Sequence, residues 1–151
     1  MAANNIDNQD IIRVFVAATP SERLPMRVLE FSILETTVTP VEVSNIFAFN
    51  RAIPRPLAPQ NWPRTPFSFQ RFLIPELCGY AGRAIYLDAD MQVFQDIAGL
   101  WNQPFRGCDL QTVKAQGDGR RGQFSVLLLD CERLCWRIED IVESLDNGTL
   151  D

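Results

Sequence analysis

Arg83-Ala-Ile-Tyr-Leu-Asp-Ala-Asp-Met91 decides the fold. From Ala84 to Leu87 the stretch is apolar, and it runs straight into two carboxylates, Asp88 and Asp90, separated by one small residue. So short an apolar run bounded by polar residues reads as a strand buried in a sheet. Upstream, Ile11-Ile-Arg-Val-Phe-Val-Ala17 has the same character and stops at Ala18-Thr19-Pro20. From Ser21 to about Thr36 the apolar positions Leu24, Val28, Phe31 and Ser32/Leu34 fall at helical spacing, which predicts a helix. Thr39 to Phe49, with Val41, Val43 and Ile46, reads as another strand.

Between Arg51 and Pro66 lie five of the ten prolines, which forbid regular structure and predict an ordered extended loop. Pro66 suits the first position of a helix carrying Phe69, Phe72, Leu73, Leu77 and Tyr80 and ending near Gly79 or Gly82. After the central stretch come a short helix from Asp96 to Trp101, a strand from Cys108 to Val113, and a Gly- and Arg-rich turn from Gly117 to Gly122. A strand from Phe124 to Leu129 follows, then a helix from Glu132 to Leu145 capped by Asn147-Gly148. Strands alternating with helices predict an α/β fold with a largely parallel sheet and ligands outside the carboxyl ends of its strands.

Composition limits the chemistry. The chain has 151 residues, 14 Lys and Arg against 19 Asp and Glu, a formal charge of −5, and no His. Ser-His-Asp, Cys-His and His-based zinc chemistry are excluded within it. The acidic balance argues against nucleic acid as a partner. Every basic residue but Lys114 is Arg, and a guanidinium grips phosphate through paired hydrogen bonds, so local anion sites remain open. No run of about 18 apolar residues exists, and Met1-Ala-Ala-Asn-Asn-Ile-Asp7 is not a signal peptide. The expectation is a cytoplasmic protein with a disordered segment at 1–10 and one domain over 11–151. Four cysteines without a C-x-x-C pair read as reduced thiols; Cys131 and Cys135, four apart, would share one face of a helix.

Two carboxylates at the mouth of a buried parallel strand stand where ligands bind, and their hard oxygens suit Mg²⁺ or Mn²⁺ bridging a diphosphate. The alternative is a turn whose aspartates cap backbone amides. A phosphatase of the haloacid dehalogenase type would place such a pair at the end of the first strand and continue it differently, since position 92 is Gln. A receiver-like signalling domain needs acidic residues where the first strand ends in Val16-Ala17-Ala18-Thr19.

Three stretches in order, Phe69-Gln-Arg-Phe-Leu-Ile-Pro-Glu-Leu77, Arg83 to Met91 and Asp96-Ile-Ala-Gly-Leu-Trp101, closely resemble family 8 glycosyltransferases and their glycogenin-like and lipopolysaccharide-galactosyltransferase relatives. The first strand with Ala17-Ala18-Thr19, the helix with Val28-Leu-Glu-Phe-Ser-Ile33, and Phe124-Ser-Val-Leu-Leu-Leu-Asp130 also match, so the resemblance covers nearly the whole chain.

It implies a GT-A nucleotide-sugar fold, Rossmann-like, and a retaining transfer of a hexose from a UDP-sugar donor to a sugar, glycan or lipid acceptor, with Mn²⁺ or Mg²⁺ as cofactor. Asp88 and Asp90 match the metal-binding pair, with Ala89 between them in the donor site. Arg71 matches the donor-site arginine, and Ala18 with Thr19 occupy the strand end where the family seats uridine. Gln123 stands where the family has Asn in an F-N-x-G element, and Ser125 replaces its Gly, a departure at the sugar contacts. The family's third metal ligand is a His late in the chain, beyond the positions present here. Residue 151 follows a helix cap, so the sheet is expected to be incomplete at its carboxyl end and prone to self-association. The alternative reading is a non-catalytic nucleotide-binding fragment or interaction module of the same fold.

Overall fold

The computed structural model describes residues 11–65, 67–114 and 123–150. The expected disordered segment at 1–10, the helix start at Pro66 and the turn at Gly117 to Gly122 lie outside the described residues.

Five strands form one sheet: β1 (Ile12–Ala17), β2 (Val41–Asn45), β3 (Arg83–Asp88), β4 (Leu110–Val113) and β5 (Gln123–Asp130), in the order β2-β1-β3-β5-β4. β1 pairs in parallel with β2 and β3, whereas β5 runs antiparallel to both β3 and β4. The sheet is therefore mixed: four strands point one way, and β5 is inserted against them. Its apolar run does not encode direction, because a strand buried on both faces reads the same from either end.

Alternation along the strands divides the core. Phe15, Ala17, Ala84, Tyr86, Leu127 and Leu129 pack on one face with Leu73, Ile74, Ile138 and Val142. Ile12, Val14, Val16, Ile85, Leu87 and Leu128 pack on the other with Leu29, Ile33 and Ile97. Both faces of β1, β3 and β5 are covered, which is why their sequences are almost unbroken apolar runs.

The helices differ from the expected ones in instructive ways. α1 (Arg23–Thr36) follows a 3-10 turn at Pro20–Glu22, and its buried residues are Leu29 and Ile33. Leu24, Val28, Phe31 and Leu34, whose spacing marks the helix in the sequence, are exposed. Apolar residues surround most of this helix, so spacing alone does not select a face.

The expected helix from 66 to 80 is a 3-10 turn at Gln70–Leu73 followed by α2 (Ile74–Leu77). Pro75 has no N–H to offer Arg71's carbonyl, and the regular ladder cannot extend through it. Gly79 ends the element with φ of +63°. α3 is Ala98–Trp101. α4 covers Ile138–Asp146 rather than starting at Glu132. Leu134, Trp136 and Ile138 all pack on the same core cluster, a spacing of two that an extended backbone satisfies and a helix does not. Cys131 is buried and Cys135 exposed, so they share no helix face; all four thiols are free.

The proline-rich loop is held by specific bonds and, against the expectation of no regular structure, carries a 3-10 turn at Pro59–Asn61, where Pro59 sits at the start of the turn and needs no N–H partner. Arg51 donates to Glu76 at 2.9 Å and to Glu139 at 2.6 Å, Leu57 N–H to Asp146 at 2.8 Å, and Asn61 Nδ2 to the Leu145 carbonyl at 2.9 Å. The Arg55 guanidinium stacks 3.5 Å over the Trp62 ring.

Ile85 sits at the centre of the sheet with no exposed surface. Ile85→Ala is expected to cost about 2–5 kcal/mol, read as a lower midpoint in urea. Leu57→Ala, at an 85 % exposed loop position, should change it by less than about 0.5 kcal/mol. Equal losses would contradict the core assignment.

Candidate functional site

Ala17 of β1 lies in register with Asp88 of β3, so the parallel ladder brings Ala18-Thr19 and Ala89-Asp90 to one edge of the sheet. Because β5 is antiparallel and pairs Val126 with Leu87, its first residues, Gln123 and Phe124, arrive at that same edge. The edge is thus made of the carboxyl ends of β1, β2, β3 and β4 and the amino end of β5.

Asp88 is held in place from its own strand. The Tyr86 hydroxyl donates to Asp88 Oδ1 at 2.7 Å. Burial, and then this bond, push the Tyr86 phenol well above its ordinary range, so it stays protonated and remains a donor. Oδ1 is fixed by that bond, while Oδ2 takes no hydrogen bond among the described residues. Ala89 is buried, turning Asp90 out to an exposed position beside Asp88.

Arg71 reaches the edge from the 3-10 turn before α2. Its Nη1 donates to the Phe124 carbonyl at 3.0 Å, and its guanidinium lies 4.9 Å from the centre of the Tyr86 ring. Its Nε is buried without an acceptor among the described residues, leaving part of the fork's donor capacity unspent. Arg71, Asp88, Ala89 and Asp90 line one pocket of about 250 Å³, together with Ala17, Glu22, Pro25, Thr65 and Phe67.

Ala18 and Thr19 line an adjoining pocket of about 460 Å³ between the ends of β1 and β2 and the first turns of α1. Two side chains fix this corner. Asn45 Nδ2 donates to the Ala18 carbonyl at 2.9 Å, and Asn45 Oδ1 accepts from the N–H groups of Ala18 at 3.3 Å and Phe47 at 3.1 Å. Glu22 Oε2 accepts from the Thr19 amide at 3.1 Å and the Thr19 hydroxyl at 3.0 Å. Arg23 and Arg27 stand at the rim of this pocket, the positive end of α1.

Of the expected site residues, Arg71, Asp88, Ala89 and Asp90 are gathered in one pocket and Ala18 and Thr19 in its neighbour. Gln123 is brought to their edge by backbone register. Glu22, Asn45, Thr65 and Phe67 are additions. Glu22 has a sequence signal, since Thr19-x-x-Glu22 is the pattern of a capping box. Asn45 has none, because its role depends on the β1–β2 register that sets it beside Val16.

A larger cleft of about 500 Å³ lies among Arg51, Glu76, Tyr80, Cys135, Arg137 and Glu139. Its Arg51 is already committed to Glu76 and Glu139, so it has less charge to offer a ligand. Among the described residues no three His, Cys, Asp or Glu side chains cluster to hold a metal. Asp88 and Asp90 supply two carboxylates, a number that suits Mg²⁺ or Mn²⁺ when a substrate's phosphates complete the shell. No described helix is long and apolar enough to cross a membrane.

Comparison with known proteins sets this geometry in a family. Residues 24–143 match the model of glycosyl transferase family 8. The chain is 35 % identical over 74 residues to glycosyltransferase 8 domain-containing protein 1 of Xenopus tropicalis, covering 43 % of this chain and 20 % of that protein. It is 32 % identical over 105 residues to Protein CDI of Arabidopsis thaliana, covering 64 % and 38 % respectively. Among solved structures, the apo-form glycosyltransferase GlyE of Streptococcus pneumoniae superposes with a TM-score of 0.62 at 18 % identity, over 91 % of this chain and 38 % of that one. A second GlyE structure gives 0.64 at 17 % identity. The chain spans about two fifths or less of the length of these relatives. The mixed α/β sheet is consistent with the GT-A fold, and with a family model matched over most of its length, the chain belongs to glycosyl transferase family 8.

Proposed function

We propose that the chain forms the donor-binding part of a hexosyltransferase that takes its sugar from a UDP-sugar with retention of configuration, assisted by Mn²⁺ or Mg²⁺. The observation that supports this reading most is the meeting of Arg71, Asp88 and Asp90 in one pocket at the carboxyl ends of β1 and β3. That combination of one guanidinium and two carboxylates suits a diphosphate and its counter-cation better than it suits any neutral ligand.

In this reading Ala18 and Thr19 bound the nucleoside pocket, with the backbone of Ala18 pinned by Asn45. Asp88 and Asp90 are the residues that would hold the cation. Asp88 is pre-aligned by Tyr86, so less order is lost when it binds. When bound, the cation neutralises the diphosphate and eases departure of UDP. Arg71 offers positive charge to the same anion from the opposite wall. Gln123, at the amino end of β5, takes the sugar-side position, and Ala89 keeps the backbone close beneath the donor. The acceptor, a sugar, glycan or lipid, meets the donor from the open side of the pocket.

Titration calorimetry tests the cation. UDP affinity should rise about tenfold or more on adding Mn²⁺ to the wild type, and hardly at all in Asp90→Ala. Equal affinities for both proteins, with and without Mn²⁺, would remove the basis for the reading. Incubation with UDP-glucose or UDP-galactose, Mn²⁺ and a panel of sugar acceptors, with UDP release measured, separates transfer from the second reading of donor binding without turnover.

The Ala18 corner has its own test. Asn45→Ala leaves one carbonyl and two amides without their side-chain partner, at a cost of about 1–3 kcal/mol, and should weaken UDP binding as well as lower the melting temperature. A variant that loses stability while keeping full UDP affinity would detach Asn45 from the nucleotide pocket.

A further inference from the structure

Helix α1 is apolar on two sides. Leu29 and Ile33 face the sheet, yet Leu24 is 75 % exposed, Phe31 64 % and Val38, just past the helix, 93 %, with Val28 and Leu34 also exposed. At 100° per residue Phe31 points almost directly away from the buried pair and Leu24, Val28 and Leu34 flank it along one stripe; Thr37 is already extended, so Val38 lies beyond that stripe. An exposed apolar stripe along a helix marks a contact surface.

The charges on the stripe identify which partner. Arg27 lies four residues before Phe31 and Glu35 four residues after it, and both are exposed. Arg27 pairs with Glu30 of its own helix, whereas Glu35 has no partner among the described residues. The order about the middle of the stripe is Arg, apolar, Phe31, apolar, Glu: Arg27, Val28, Phe31, Leu34, Glu35, all within α1. Reversed, the pattern is unchanged except that the two charges trade signs.

We propose that this face is the interface with a second copy of the chain, formed by two α1 helices packed antiparallel about a two-fold axis at Phe31. About such an axis, residues equally far before and after Phe31 face one another. Val28 then meets Leu34, Phe31 meets Phe31, and Arg27 of each copy meets Glu35 of the other. The contact is isologous and closes on itself, giving a dimer and no larger assembly. A parallel pair would set Arg27 beside Arg27 and Glu35 beside Glu35, and like charges facing across a contact reject that arrangement. An acidic or basic partner would satisfy only one of the two charges.

Sedimentation equilibrium on the full chain over a wide dilution series tests the proposal. Wild type should show a reversible monomer–dimer equilibrium. Phe31→Asp, at a 64 % exposed position, should leave the circular dichroism spectrum unchanged and be monomeric throughout. Arg27→Glu and Glu35→Arg should each self-associate about tenfold or more weakly than wild type. Mixed in equal amounts, those two variants should recover dimerisation, because only the heterodimer pairs opposite charges at both ends. Loss of the Arg27–Glu30 pair cannot produce that recovery. A monomeric wild type would overturn the proposal, as would a dimer indifferent to these substitutions. A monomer that pellets with phosphatidylcholine–phosphatidylserine vesicles would also overturn it, giving the stripe to a membrane surface.

Discussion

The parallel ladder between β1 and β3 is the constraint on which the rest depends. Its register sets Ala17 beside Asp88, and so decides that the chain leaving β1 and the chain leaving β3 turn at the same edge. A slip of one residue would exchange the two faces of β3, putting Tyr86 where Ile85 now packs and separating the strand ends. The slip is resisted from both sides: Ala84 and Tyr86 are buried in one core cluster, Ile85 and Leu87 in the other.

The site grows from that edge by short connections between rigid elements. Tyr86 is two residues before Asp88 and therefore on the same face of the strand, which places its hydroxyl within reach of the carboxylate. The same ring lies beneath the Arg71 guanidinium, so one buried aromatic side chain orients both a cation and an anion of the pocket. The proline-rich loop, tied to α2 and α4 through Arg51, Leu57 and Asn61, delivers Thr65 to the pocket wall.

Much of this was legible in the sequence where burial is two-sided. Ile12–Ala17, Arg83–Asp88 and the run from Phe124 to Leu129 are nearly unbroken apolar runs because both faces of each strand are covered, and Asp88 with Asp90 follow one of them directly. What the sequence hid depended on contacts distant along the chain. The direction of β5 is set by its partners. The inward face of α1 is ambiguous because Leu24, Val28 and Phe31 are as apolar as Leu29 and Ile33. Apolar spacing alone extends the last helix back to Glu132, whereas Leu134 and Trp136 answer to the core by alternation, and Pro75 breaks the other long helix into two short pieces. Asn45 could not be read at all without the β1–β2 register.

The claim at the centre of this account is that the shared edge of β1 and β3 is where a nucleotide and its cation sit. Amide spectra of ¹⁵N-labelled protein recorded with UDP, before and after substoichiometric Mn²⁺, test it most directly, because a paramagnetic ion broadens only nearby signals. The account predicts shifts with UDP at Ala18, Thr19 and Phe47, and Mn²⁺ broadening centred on Asp88, Ala89 and Asp90 and extending to Arg71. Broadening centred instead on the cleft of Glu76 and Glu139, or none anywhere in the presence of UDP, would contradict it.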